Sequence, residues 1–203
     1  MTTPAPRPGA DLRIRAATPA DVPQILALIR ELALYEREPD AVVATEDLLH
    51  RALFEDALGT LQGGPRTLSH APRSGPVAEC LMGELVDGAS AGQAWTVQGF
   101  ALFFVNYSTW TGRPGLYLED LFVRPAHRGR GLGRALFTEV ARLAARRGCR
   151  RMEWAVLDWN TPAIDFYKRL GAVAMSDWTT FRLAADDAVA PALGPALDAF
   201  ARD

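Results

Sequence analysis

This 203-residue chain has little of what marks several functional classes. It holds two cysteines, Cys80 and Cys149, with no CxxC pair between them. That excludes a dithiol redox motif and a zinc ribbon. Both lie in or beside apolar, strand-like runs, so they read as buried thiols rather than a disulfide. His50, His70 and His127 show no ligand spacing, and no metal is expected. No apolar run is long enough to span a bilayer, and no charged start leads into an apolar signal core. The expectation is a cytoplasmic protein without a membrane partner. An excess of one charge is also missing: Lys+Arg total 22 and Asp+Glu total 24, a formal net charge of -2. No global field therefore points to nucleic acid. The local basic clusters, 124–134 and 142–151, differ in kind. Arg146, Arg147, Arg150 and Arg151 read as a solvated helix face. No internal repeat is visible.

The chain does have enough length for one domain with a core. Its composition is that of a globular protein, 49% hydrophobic and 23% charged. The Pro-rich residues 1–11 read as a loose arm, 12–183 as a single domain and 184–203 as a tail. Residues 12–16 alternate as a strand. Thr18, Pro19 and Asp21 form a helix start, with Asp21 three residues after the cap. Val22, Ile25, Leu26, Ile29 and Leu32 continue it at helical spacing to about Tyr35 and Glu36. Thr45 caps a second short helix. Residues 59–76 and 88–93 read as loops, with a strand at 77–86 between them. Residues 97–107 form an apolar central strand, 111–115 a turn and 116–123 a further strand. Residues 132–147 form a helix, 152–157 a strand, 163–170 a helix opened by Asn160, and 173–183 a final strand. Short turns join the middle strands, which favours antiparallel pairing; helices separate the later ones, which favours parallel pairing. The expectation is an α+β fold, with a mixed, mostly antiparallel central sheet flanked by helices.

The most informative stretch is LEDLFVRPAHRGRGLGR, 118–134. It is an apolar strand, a tight turn and a glycine-rich opening to a helix. Glycine lets backbone come close to a ligand, and a helix start offers unpaired N–H groups and a positive dipole end to a phosphate. A dinucleotide-binding turn is the competing reading, but its third glycine would fall at Arg134.

The pattern Arg128-x-x-Gly131-x-Gly133 after this strand resembles the acetyl-CoA signature of the GCN5-related N-acetyltransferases. Asn160 through Gly171, with Ala163, Phe166 and Tyr167, is similar to that family's later helix. Arg15–Asp21, Ile29–Glu36, Tyr117–Val123 and Trp159–Arg169 are similar to its diamine (spermidine/spermine) and thialysine branch. The resemblance runs from about Leu12 to Leu183 and departs in the start, the 59–76 loop and the tail.

Acetyl transfer to an amine requires deprotonation of an ammonium, polarisation of the thioester carbonyl and stabilisation of the leaving thiolate. The resemblance implies Glu119 for the first and Tyr167 as the acid toward sulfur. A structural ion pair for Glu119 and simple packing for Tyr167 are the alternatives. In a regular strand Glu119 and Asp120 face opposite ways, so that only one meets the cleft. The resemblance further implies that Leu121, Phe122 and Val123 offer backbone to the cofactor arm and that Arg128, Gly129, Arg130, Gly131, Leu132, Gly133 and Arg134 surround the pyrophosphate. It also implies that Asn160 and Ala163 hold the arm and that Lys168 approaches the phosphates. Arg128 holding carbonyls of the turn, Asn160 as a helix cap and Lys168 as a solvated charge are the local alternatives. Tyr35 and Glu36 match that branch's acceptor-side residues, with a frayed helix end as the alternative; Trp154, Trp110, Trp159 and Trp178 are further candidates for lining the acceptor tunnel, with core packing as theirs. The resemblance implies acetyl-CoA as donor, a small amine as acceptor (a diamine or polyamine first, then thialysine-like amino acids, an aminoglycoside or a protein N-terminus) and a homodimer. A non-catalytic acyl-CoA-binding module is the reading of another class.

Overall fold

Thr18 and Asp21 open the first helix together. The Asp21 carboxylate accepts from both Thr18 N–H and Thr18 Oγ1 at 2.7 Å, and Arg15 grips it with two bonds of 2.7 Å. A single 3-10 turn, Pro19–Asp21, leads into the helix proper, α1, Val22–Tyr35. The computed structural model describes residues 12–55, 75–86 and 94–182. The expected arm 1–11, most of the 59–76 loop, the 88–93 turn and the 184–203 tail lie outside the described residues. The remaining elements are β1 (Leu12–Ala16), α2 (Glu46–Phe54), β2 (Glu79–Leu85), β3 (Thr96–Ser108), β4 (Arg113–Val123), α3 (Leu132–Arg146), β5 (Met152–Glu153) and α4 (Thr161–Arg169).

The strands form one sheet in the order β1-β2-β3-β4-β5. The first three junctions are antiparallel and the last is parallel, so the α+β architecture is the one expected. Each face of the sheet carries its own core. Ile25 and Leu28 of α1 pack with Met82, Phe100 and Phe122 on one face. Leu132, Leu136 and Val140 of α3 pack with Phe103, Leu116 and Leu118 on the other. Burying side chains of this size stabilises by about 2 kcal/mol each. The two stripes, spaced three and four residues apart, thus clamp the sheet from opposite sides.

Three expectations need correction. The turn after β3 is tighter than 111–115, because β4 begins at Arg113. The strand expected over 152–157 pairs only at Met152–Glu153 and then leaves the ladder. Residues 173–182 carry no strand, and Leu183 lies outside the described residues. The reason is geometric: β5 presents an edge two residues long, too short to seat another strand. Val173, Met175, Trp178 and Phe181 are accordingly exposed.

Candidate active site

Diverging strands make the site. β5 pairs with β4 only at Leu116↔Met152 and Tyr117↔Glu153. Past these pairs, 118–123 and 154–156 form opposite walls of a cavity of about 480 Å³. The β4 backbone on that side therefore has no ladder partner among the described residues. Unpaired N–H and C=O groups at a cleft wall are free to bond a bound amide or a carbonyl oxygen. Val123 is itself buried, so what it offers the cleft is backbone, whereas the Phe122 carbonyl turns toward β3.

A bulge decides which side chains enter. Leu102 pairs with Asp120, but its neighbour Phe103 pairs with Leu118, which leaves Glu119 as an extra residue. Leu116 and Leu118 face the α3 core before the bulge, and Leu121 and Val123 face it afterwards. The alternation thus changes phase across Glu119 and Asp120. The expectation that these two point to opposite faces fails, because both carboxylates line the one cavity. Asp120 is the deeper. Burial, then the charges of Glu119 and Glu36, push its carboxyl up to about 7. Glu36, at the end of α1, also lines the cavity and is raised by burial.

The glycine loop follows at the end of β4. Gly129 and Gly131 have φ of 77° and 90°, and Gly131 stands at the N-cap of α3. A residue with a Cβ is strained there. No side chain caps this helix, so its first N–H groups are left for a ligand. A Cβ at Gly129 would meet nothing within 4 Å, which shows open space beside the loop. Leu132 is buried and anchors the turn, while Gly133 and Arg134 line the cavity. These features fit a pyrophosphate-bearing group.

Two loop arginines are committed elsewhere. Arg128 Nε donates to Val123 O at 2.9 Å, and its guanidinium lies 4.3 Å over the Tyr35 ring. The carbonyl-holding alternative is thus realised, although Arg128 still borders the cavity. Arg130 donates to Val86 O at 3.3 Å and falls outside the lining. Lys168 is exposed and also outside it; Arg169, one residue on, lines the cavity instead.

α4 supplies the facing wall. Asn160 is buried, and its Oδ1 accepts from Ala163 N–H at 3.4 Å and from the Tyr35 hydroxyl at 3.2 Å. Tyr167 packs 4.8 Å from Trp154 and 5.2 Å from Phe166, ring centre to ring centre. Burial first, and the charge of Glu36 second, push its phenol up to about 12, so it stays protonated through neutral pH. Ala163 and Trp154 line the same cavity. Trp159 sits beside it, 6.0 Å from Tyr35, whereas Trp110 and Trp178 contact one another away from the lining. Sequence reasoning missed Asp120 and Arg169. The adjacent acids of Leu-Glu-Asp-Leu were a visible signal for the first; the bulge that turns both inward was not.

A family model described as Acetyltransferase (GNAT) family matches residues 50–172. The pig thialysine N-epsilon-acetyltransferase is 38% identical over 176 residues, covering 85% of this chain and 92% of its own. The L-ornithine N5-acetyltransferase NATA1 of Arabidopsis thaliana is 36% identical over 193 residues, covering 86% and 85%. Among solved structures, an aminoglycoside acetyltransferase from an uncultured soil metagenomic sample superposes with a TM-score of 0.62 at 16% identity, covering 86% of this chain and 97% of its own. The chain belongs to the GNAT acetyltransferase family and is an N-acetyltransferase.

Proposed function

We infer that this enzyme transfers acetyl from acetyl-CoA directly to a primary amine of a small molecule, a diamine or polyamine or an amino acid with a side-chain amine. The carrying observation is the bulge that brings Glu119 and Asp120 together on the unpaired edge of β4, in one cavity with Tyr167. The names of the pig and Arabidopsis relatives, which refer to amino acids with a second amine, support the acceptor class. The proposed catalytic unit is the single domain 12–183, working as a cytoplasmic homodimer. The exposed apolar side chains of Trp110, Met175, Trp178 and Phe181 support the dimer, and light scattering on the purified chain tests it.

The donor supplies an activated acyl carbon and a thiolate leaving group; the chain supplies the rest. Glu36 and Glu119 attract the acceptor's ammonium. Asp120, titrating near neutral pH because of its burial and the charges of Glu119 and Glu36, takes its proton. Backbone N–H groups of Leu121 and Val123, which point away from β3, face the growing negative charge on the carbonyl oxygen. Tyr167 donates a hydrogen bond toward sulfur. A phenol near 12 holds its proton more tightly than a thiol near 8.5, so the tyrosine stabilises the leaving group without surrendering its proton outright, and the second proton that the nitrogen loses as the amide forms goes to the sulfur. Gly129, Gly131, Leu132, Gly133 and Arg134 receive the pyrophosphate, with Arg128 and Arg130 shaping the loop and Arg169 adding charge. Asn160 and Ala163 border the cofactor arm. An acetyl-enzyme is disfavoured because burial pushes the Cys80 thiol up to about 12, where no useful thiolate exists.

The test is thiol release from acetyl-CoA against putrescine, spermidine, spermine, thialysine, lysine, an aminoglycoside and a peptide N-terminus. Turnover with a di- or polyamine or with thialysine or lysine is the expected result. Acetyl-CoA binding without turnover on any of them would overturn the reading in favour of a binding module.

A further inference from the structure

Arg37 ends α1 in a conformation that side chains avoid. Its φ is 69°, in the left-handed region where helices most often place glycine. Around it the helix closes in the usual reciprocal way: Glu38 N–H donates to Ala33 O at 2.9 Å and Arg37 N–H to Leu34 O at 3.2 Å. Such strain persists where surrounding contacts fix it. Here the fixing contacts are those backbone bonds, and the guanidinium beyond them covers the Trp159 ring at 4.6 Å.

Arg37 and Trp159 do not line the cavity, but each adjoins a residue that does. Trp159 precedes Asn160, and Arg37 follows Glu36; Asn160 and Glu36 both line the cavity. Arg15 and Arg124 are paired with Asp21 and Glu31, but among the described residues no carboxylate lies within ion-pair distance of Arg37. Stacking on an aromatic face leaves the in-plane N–H donors of a guanidinium open to a carboxylate. The cleft thus presents carboxylates inside, at Glu36, Glu119 and Asp120, and a stacked cation stands one residue beyond its lining. A polycation gains nothing from Arg37 and is repelled by it. A molecule with an amine at one end and a carboxylate at the other satisfies both.

We propose that Arg37 is a specificity residue that receives the carboxylate of the acceptor, making an amino acid with a side-chain amine a better substrate than the matching diamine. This rests on the small-amine reading above. Two acceptor pairs differ only in the carboxylate: ornithine with putrescine, and lysine with cadaverine. Steady-state kinetics on the full chain with acetyl-CoA should show higher kcat/KM for the amino acid of each pair. Arg37→Gln should lower the amino-acid-to-diamine ratio by about tenfold, through KM rather than kcat. Arg37→Gly removes the cation and suits the left-handed backbone, so the same fall in that variant shows that a damaged helix end is not the cause. Equal loss on both members of a pair, an unchanged ratio, or a wild-type preference for the diamines would overturn the role of Arg37 while leaving the acetyltransferase reading intact. No turnover with any of the four, nor with the wider amine panel above, with acetyl-CoA still bound, would overturn both.

Discussion

The Tyr35 hydroxyl donates to Asn160 Oδ1 at 3.2 Å, joining the last residue of α1 to the cap of α4 across 125 positions of sequence. Arg128 lies on the same tyrosine ring from the glycine loop. One side chain therefore connects the helix that carries Glu36, the proposed donor loop and the helix that carries Tyr167. Tyr35→Phe keeps the ring and deletes the hydrogen bond. Its expected cost is about 1 kcal/mol in denaturant stability, with KM for acetyl-CoA raised several-fold. Unchanged donor KM would show that the link is structural only.

Removing the Tyr167 hydroxyl separates binding from chemistry. Tyr167→Phe preserves the contacts with Trp154 and Phe166. Acetyl-CoA affinity, measured by calorimetry, should persist while kcat falls about a hundredfold. A variant with full turnover would remove Tyr167 from the mechanism.

Asp120 makes both rate and stability depend on pH. Its carboxyl titrates near 7 when folded and near 4 when unfolded. Between those values the folded state binds the extra proton, so stability should fall as pH rises, by about 1.4 kcal/mol per pH unit. Asp120→Asn should flatten this slope and leave the protein more stable at pH 8. The same substitution should abolish the rising limb of kcat/KM near pH 7. Melting curves and pH–rate profiles of the two proteins check both parts, and parallel curves would show that another group sets them.

Asp21 carries the opposite sign. The Arg15 side chain is the largest influence on it and, with Thr18, lowers its carboxyl to about 2. That stability is present above about pH 4 and is lost as pH falls through 2. Asp21→Ala should therefore cost roughly 2 kcal/mol at neutral pH and reduce the acid sensitivity of unfolding.

Gly99 tests the wall beneath the cleft. A Cβ there would sit 2.5 Å from Phe122 O, a backbone atom of β4 with little freedom to move. Gly99→Ala should lower thermal stability and weaken acetyl-CoA binding together, because the backbone of 121–123 must shift. Normal donor affinity in a destabilised variant would separate the two effects.

Much of this protein is written in its order of residues. The spacing of Ile25, Leu26 and Ile29, and of Leu136 and Val140, fixes which helix faces are apolar, because a side chain recurs on one face every three to four residues. Asp21, Thr45 and Asn160 mark helix starts because their oxygens meet N–H groups that no turn of helix can satisfy. The glycine loop is legible for the same local reason: only glycine sits easily at the φ of Gly131. Tertiary structure decided what depends on a partner strand. The bulge at Glu119 exists only in register with Leu102 and Phe103, and it brings Asp120 beside Glu119 in the cavity, where burial and the neighbouring charges raise its carboxyl. The cleft opens because β5 leaves β4 after Glu153, a divergence that the apolar run 152–157 does not announce. Local periodicity specifies faces and ends; register, burial and the charges that meet across a fold arise from contacts between residues far apart in the chain.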